Sequence, residues 1–477
     1  MRKQTKIAAV VSATALLAIG ASFTAMAGEK GTWVPENDGW YCYDADGDVY
    51  EDEWCEYNGK DYYVGEDGLM LTSTWVDYDG NMYYANSYGE KTTGAWKLLV
   101  PHDDEDADEE WYWFKSSGKM AKSEKLVIGG KTYYFDSEGK MLTGWVDIVN
   151  MTDASEIGDN TVFCGEDGAR VSKAWAKTTV PGADEDEDDE FWYYIKSTGK
   201  ATTGKAKSIN GETYLFNGDG QMLSGWVANT DSDALYVEIG DEDAAAISTY
   251  EEVYFCGDSE DGHVKKNKWI YEWKNTQYGD EDVDNDKNWF WIEKDGTVFV
   301  PNAASMSNAQ KKSFADAEEN ALSNNGNTLK VYVKNIEDKY YVFNTNGEML
   351  SGLIEIDGDV YYFGGSQDGA RKTGSVTLTD DYGVEGKFLF STSSSDKGVG
   401  VTGPKSGKLY DNGLLITAKD YKYAVVPVDG NDYIVNRSGS FQTTKKVYKD
   451  GDEVICNAEN ATFSNDPKGA VTNYTLD

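Results

Sequence analysis

Short runs of aromatic and β-branched residues alternate with polar turn residues along most of this chain. The clearest unit is Gly130-Lys-Thr-Tyr-Tyr-Phe-Asp-Ser-Glu-Gly139-Lys-Met-Leu-Thr-Gly144-Trp145. Its Thr132-Tyr-Tyr-Phe135 segment combines side chains that favour a pleated strand. Asp136-Ser-Glu-Gly139 reads as a turn, and Lys140-Met-Leu-Thr143 as the return strand. The unit recurs at residues 211–226 and again at 338–353, where Leu353 stands in place of the Trp. Looser copies cover 59–75, 80–96, 161–175, 253–269 and 358–374. A lone two-stranded hairpin is marginal in water, whereas stacked hairpins bury their aromatics against each neighbour. The pattern therefore predicts an all-β solenoid of stacked β-hairpin repeats.

A second order of repetition lies above the hairpin. Trp111-Tyr-Trp113 and Tyr133 recur as Trp192-Tyr-Tyr194 and Tyr214, each displaced by 81 residues. A third copy starts at Trp289-Phe-Trp291 and continues at Tyr340 and Phe363. Acidic insertions precede the three copies at 103–110, 184–190 and 280–286, and these read as exposed loops. Ala, Glu and Lys dominate 308–322, which predicts a short helix there, inside an insertion spanning 301–328. No Trp follows Trp291. The tail at 375–477 keeps weak hairpin patterns at 387–403 and 430–444, as either a diverged array or a small β domain.

The N-terminus carries Arg2, Lys3 and Lys6, an apolar run at 7–19, and Ala25-Met26-Ala27, the arrangement of a secretory signal peptide over 1–27. The expected organisation is then hairpin repeats at 28–300, the insertion at 301–328, more hairpins at 329–374, and the tail. High Gly (50) and Tyr (33) counts favour small aromatic-stapled units over one aliphatic core. A net charge of −40 argues against nucleic acid and anionic lipid as partners. No later apolar run is long enough to insert into a membrane. Five cysteines leave at least one unpaired. Cys42 and Cys55 are close enough to bridge neighbouring strands, as a disulfide or as two thiols. Cys164 and Cys256 occupy equivalent repeat positions and replace a core Phe.

The unit Gly-Lys-x-Tyr-Tyr-Phe-Asp-x-x-Gly-x-Met-x-Thr-Gly-Trp resembles the cell-wall-binding, choline-binding-like repeats of Gram-positive surface proteins. That resemblance implies ligand sites between consecutive hairpins, each a cage of the Gly-Trp tryptophan, a Trp of the following strand, a Tyr of the next hairpin and a Met. Carried over, the cages are Trp96, Trp111, Tyr133 and Met141; then Trp175, Trp192, Tyr214 and Met222; then Trp269, Trp289, Tyr340 and Met349. It also implies partners among cell-wall polymers, such as choline-bearing teichoic acid or glucan, and a secreted, cell-wall-surface location. A cage of ring faces suits a quaternary ammonium, which donates no hydrogen bond and is held by cation–π attraction.

Candidate catalytic chemistry is sparse. His102 and His263 are the only histidines, and no nucleophile elbow or metal-spaced His cluster is present. The expected activity is binding without catalysis and without a cofactor. The alternating carboxylates of Asp44, Asp46 and Asp48, and of Asp282, Asp284 and Asp286, offer oxygens to calcium but lack the spacing of an EF-hand loop. The competing reading is an adhesin or structural surface protein whose aromatics serve only the core and whose acidic loops face a host or neighbouring cell.

Overall fold

The computed structural model describes residues 26–27, 30–104, 106–183, 189–230, 235–239, 249–273, 287–314, 322–379 and 385–476. The leader's basic and apolar parts lie outside them. The chain divides into two compact units, Met1–Thr202 and Thr203–Asp477. Both are built from β-hairpins.

In the first unit the hairpins follow one another in order. Glu53–Tyr57 pairs with Lys60–Val64, Thr74–Tyr78 with Asn81–Ala85, Ala95–Leu99 with Glu110–Phe114, and Glu124–Ile128 with Lys131–Phe135. Gly144–Asp147 with Thr161–Cys164, and Ala174–Thr178 with Phe191–Ile195, complete the series. The tight turns are Asn58-Gly59, Asp79-Gly80 and Gly129-Gly130, with φ between 51° and 84° at all six residues. Two consecutive positive φ values match the right-handed twist of the flanking strands, which explains why Asn, Asp and Gly hold these places.

This pairing corrects the expected phase of the repeat. Lys131–Phe135 pairs with the strand before it, Glu124–Ile128, and not with residues 140–143. The 140–143 segment is instead a linker that makes one bridge, Phe135 to Met141. The Met141 N–H bonds the Trp111 carbonyl of the preceding hairpin at 2.9 Å. The same bond joins Met120 to Met82 and Arg170 to Thr132. It is the backbone seam that stacks one hairpin on the last. The turn before it needs glycine: Gly139 has φ +82°, and a Cβ there would lie 2.9 Å from the Ala121 carbonyl oxygen.

Strand alternation gives each hairpin two buried faces. Tyr112 and Phe114, both 0% exposed, look back toward Trp75 and Met82. Trp96 and Trp113, on the other face, look forward to Tyr133 and Phe135. The core is thus a row of aromatic layers, one per gap, rather than a single interior. Cys164 and Cys256 stand in these layers at the place of Phe114 and Phe135, both fully buried. Burial pushes the Cys164 thiol up to about 12. It therefore stays protonated at pH 8, and iodoacetamide with mass spectrometry should show no labelling of Cys164 until the protein is unfolded. The stabilisation linked to that neutral thiol is complete below about pH 8.5, the usual thiol value, and is lost as pH rises from there toward 12.

In the second unit the hairpin pattern continues through Gly204–Ile209 with Glu212–Phe216, Trp226–Asn229 with Glu252–Phe255, and Lys268–Trp273 with Lys287–Ile292. The helix expected over 308–322 is absent where the chain is described. Ser307–Phe314 is a strand, paired to Leu322–Ile336 on one side and to Leu353–Ile356 on the other. Residues 315–321 lie outside the described residues. Ala309, 3% exposed, packs with Val331 and Ile354 in this sheet. Helix propensity is worth only tenths of a kcal/mol per residue, so pairing on both edges decides the segment. The tail belongs to the same compact unit and keeps hairpins to its end, including Tyr423–Val428 with Asn431–Asn436 across an Asp429-Gly430 turn. Its layers use Tyr433, Tyr448, Val435 and Val471 where earlier ones use Trp.

All five cysteines are buried thiols. Cys42 and Cys55 share one cluster with Trp33 and Val64, and the Cys42 thiol donates to the Lys30 carbonyl at 3.7 Å.

Candidate ligand cages between hairpins

Trp96 sits opposite Trp113 across its hairpin, while Trp111 is opposite Leu98. Trp96 and Trp111 are therefore diagonal neighbours on one sheet face, within reach of large rings. Their centroids are 6.4 Å apart with planes at 87°, and the Tyr133 ring of the next hairpin stands 4.9 Å from Trp96 at 64°. Met141 packs into the same cluster. Trp111 is 44% exposed, Trp96 half-buried and Tyr133 buried, so the cage has a floor inside the stack and an open outer wall. All four residues of this expected site are brought together.

The third expected site is assembled with one substitution. Trp269 and Trp289 are 6.4 Å apart at 86°, and the ring that closes on Trp269 is Tyr341, at 4.7 Å and 58°. Met349 lies in that cluster. Tyr340, the expected member, is 38% exposed and points to the other face. The reason is strand alternation: a one-residue offset moves a side chain to the opposite face. The spacing from Phe343 to Gly347 equals that from Phe135 to Gly139, and alignment on those anchors places Tyr341 against Tyr133. Trp289 is further fixed by its Nε1–H, which donates to Gln367 Oε1 at 3.2 Å.

Trp175 and Trp192 repeat the diagonal, 6.2 Å apart at 89°. They belong to the first unit, and Tyr214 and Met222 to the second. The other Gly-Trp tryptophans are not of this kind. Trp145 and Trp226 are 6% and 1% exposed, and the positions matching Trp111 in their hairpins are Thr161 and Val253. Their rings close onto Tyr193 and Phe290, respectively. In the Trp96 and Trp269 hairpins the strand carries a second Trp, whereas in the Trp145 and Trp226 hairpins it does not.

The acidic insertions gain a meaning from the pairing. Residues 103–110 lie between the paired strands Ala95–Leu99 and Glu110–Phe114, in place of a two-residue turn. The segments 184–190 and 280–286, largely outside the described residues, fall between the paired strands of the Trp175 and Trp269 hairpins. The 103–110 segment is the tip of its hairpin, and the other two separate in sequence the paired strands of the Trp175 and Trp269 hairpins.

Two further gaps were passed over in the sequence. Trp33, Trp40, Tyr62 and Met70 share a cluster in which Trp33 is 3% exposed. Trp75 is edge-on to Tyr112 at 4.8 Å and to His102 at 5.6 Å, and its Nε1–H donates to the Val100 carbonyl. The signal available for both was the Trp-to-Met spacing of the repeat once its strand phase is known.

Asp44 uses its carboxylate to accept the N–H groups of Asp46 and Asp48, both at 2.9 Å, which makes it a turn cap. The triplet Asp282, Asp284 and Asp286 lies outside the described residues. Among the described residues no three His, Cys, Asp or Glu side chains are grouped to hold a metal ion.

An all-β array of hairpins with aromatic cages in some of its gaps is the class of protein this chain belongs to by construction. Residues 106–120, 128–141 and 207–222 match the family described as putative cell wall binding repeat, so the chain carries choline-binding-like repeats. It is 26% identical to Glucosyltransferase-S of Streptococcus mutans serotype c over 289 residues, 58% of this chain and 16% of that protein. It is 29% identical to a putative endo-beta-N-acetylglucosaminidase of Streptococcus pneumoniae serotype 4 over 107 residues, 22% of this chain and 13% of the other. The chain thus spans less than a fifth of the length of these relatives. Among solved structures, the choline-binding domain of CbpL from Streptococcus pneumoniae aligns at 24% identity over 44% of this chain and 99% of that one, with a TM-score of 0.30.

Proposed function

We propose that this protein attaches non-covalently to a cell-wall polymer bearing quaternary ammonium groups, choline being the chemistry that fits, and acts at the cell surface by binding rather than catalysis. The observation that carries the reading is the recurring perpendicular Trp pair, closed by a Tyr and a Met in the Trp96 and Trp269 cages. Three ring faces around one cation are worth roughly 0.5–2 kcal/mol each, which makes a single cage a weak site. Several cages on one chain convert weak sites into firm retention through effective concentration. The hairpin-tip carboxylates run directly into the cage strand at Glu110-Trp111 and draw cations toward it. A binding role also fits the two histidines, which sit at a turn and a ring, His263 with Asp261 and His102 edge-on to Trp75.

Protein bound to purified walls should elute with free choline and stay bound in equimolar sodium chloride. Indifference to choline, with retention on glucan or mucin instead, would overturn this reading in favour of an adhesin whose aromatics are core alone.

A further inference from the structure

The backbone seam defines an equivalent position in many gaps among the described residues: the residue whose N–H reaches the carbonyl of the preceding hairpin. It is Met141 in the Trp96 cage, and Met349 takes the corresponding bridge to Phe343 in the Trp269 cage. In three other gaps the position is basic: Arg170, whose N–H bonds the Thr132 carbonyl at 2.8 Å, and two residues that lie over aromatic rings. Of these two, Lys91 N–H bonds the Asp61 carbonyl, and Arg371 N–H bonds the Tyr340 carbonyl, both at 2.8 Å.

In the Lys91 gap Trp54 and Tyr83 stand 5.4 Å apart at 66°, close to the 4.9 Å and 64° of Trp96 and Tyr133. The Lys91 ammonium lies 4.7 Å from the Trp54 ring and 5.9 Å from the Tyr83 ring, and it is ion-paired to Asp61. Asp61 occupies the place of Trp111 in its hairpin. Only 16% of the Lys91 side chain is exposed. The Arg371 gap repeats the arrangement with a different cation. The Arg371 guanidinium carbon lies 4.2 Å from the Tyr340 ring and 5.7 Å from the Tyr361 ring. Tyr340 is thus not a spare ligand ring. It is the wall of the next gap, with the Arg371 guanidinium over its ring.

We propose that the residue at this seam position decides whether a gap accepts an external ammonium: Met leaves the cage open, whereas Lys91 and Arg371 fill it with the chain's own cation. This rests on the cage reading above and sharpens it, because it names which gaps bind ligand and which serve as internal staples. The same cation–π attraction that would hold a ligand then holds one hairpin to the next. Covalent continuity gives the tethered cation an effective concentration that free choline does not match.

The test counts quaternary ammonium sites on the full chain by equilibrium dialysis with tetramethylammonium and with choline, for the wild type, Lys91→Met and Lys91→Arg. Lys91→Met should add one site and make Trp54 fluorescence respond to ligand, with Asp61 left to attract the cation. Lys91→Arg should add none. Far-ultraviolet circular dichroism and the melting temperature confirm that each variant is folded, and an unfolded Lys91→Met is replaced by Lys91→Gln, which removes the charge at similar length. No gain in sites on a folded uncharged variant overturns the proposal. A wild-type count of zero overturns the parent reading instead, and the change on substitution still reports on Lys91.

Discussion

Trp226→Ala should destabilise the second unit by about 3–5 kcal/mol, the range for removing a fully buried large aromatic. Trp226 is 1% exposed and sits in an aromatic-aliphatic layer with Ile270, Phe290, Ile292 and Val298. Its ring is edge-on to Phe290 at 4.8 Å and to Phe255 at 5.1 Å. Alanine would leave a cavity between two hairpins joined otherwise by few backbone bonds, and a stacked array has no other core to absorb it. Urea denaturation followed by fluorescence and circular dichroism should show an early transition for the second unit. A loss below about 1 kcal/mol would mean the layers are not what holds the hairpins together.

Trp111→Ala should do the opposite. Trp111 is 44% exposed, and its neighbours Tyr112 and Phe114 carry the burial on that strand. Stability should change by no more than about 0.5 kcal/mol, as for other surface positions. Choline affinity of that cage should fall by about twofold to thirtyfold, the loss of one ring worth roughly 0.5–2 kcal/mol. Because retention multiplies across sites, wall binding should fall further than the single-site affinity. Titration calorimetry with choline gives the first effect and wall pull-down the second. A Trp111→Ala protein that unfolds, or that binds choline unchanged, would mean the exposed ring is not a cage wall.

The two substitutions remove the same residue type from the same repeat family, and what separates them is which face of a hairpin the ring occupies. The repeat itself gives no warning of this. Trp145, Trp226, Trp96 and Trp269 each begin or nearly begin a hairpin strand, yet two are buried layers and two are half-open cages. The two kinds differ on the partner strand: Thr161 and Val253 in the filled gaps, Trp111 and Trp289 in the open ones. The sequence holds that information only once the strand pairing is known.

The sequence by itself determined the class of fold. Aromatic and β-branched runs and a recurrent unit with glycine-containing turns admit stacked hairpins and little else, because each is local chemistry acting within a few residues, whereas which strands each turn joins came only with the pairing. The resemblance of the repeat to a known family grouped Trp96, Trp111, Tyr133 and Met141 in one expected site, although an acidic insertion separates Trp96 from Trp111. Tertiary structure decided the rest. The strand Ser307–Phe314 took its conformation from pairing on both edges, against its helix-like composition. Tyr341 replaced Tyr340 in the Trp269 cage because a strand sends adjacent residues to opposite faces. Lys91 and Arg371 became fillers of aromatic gaps because the seam brings residues of successive hairpins together, a long-range contact that no local pattern encodes.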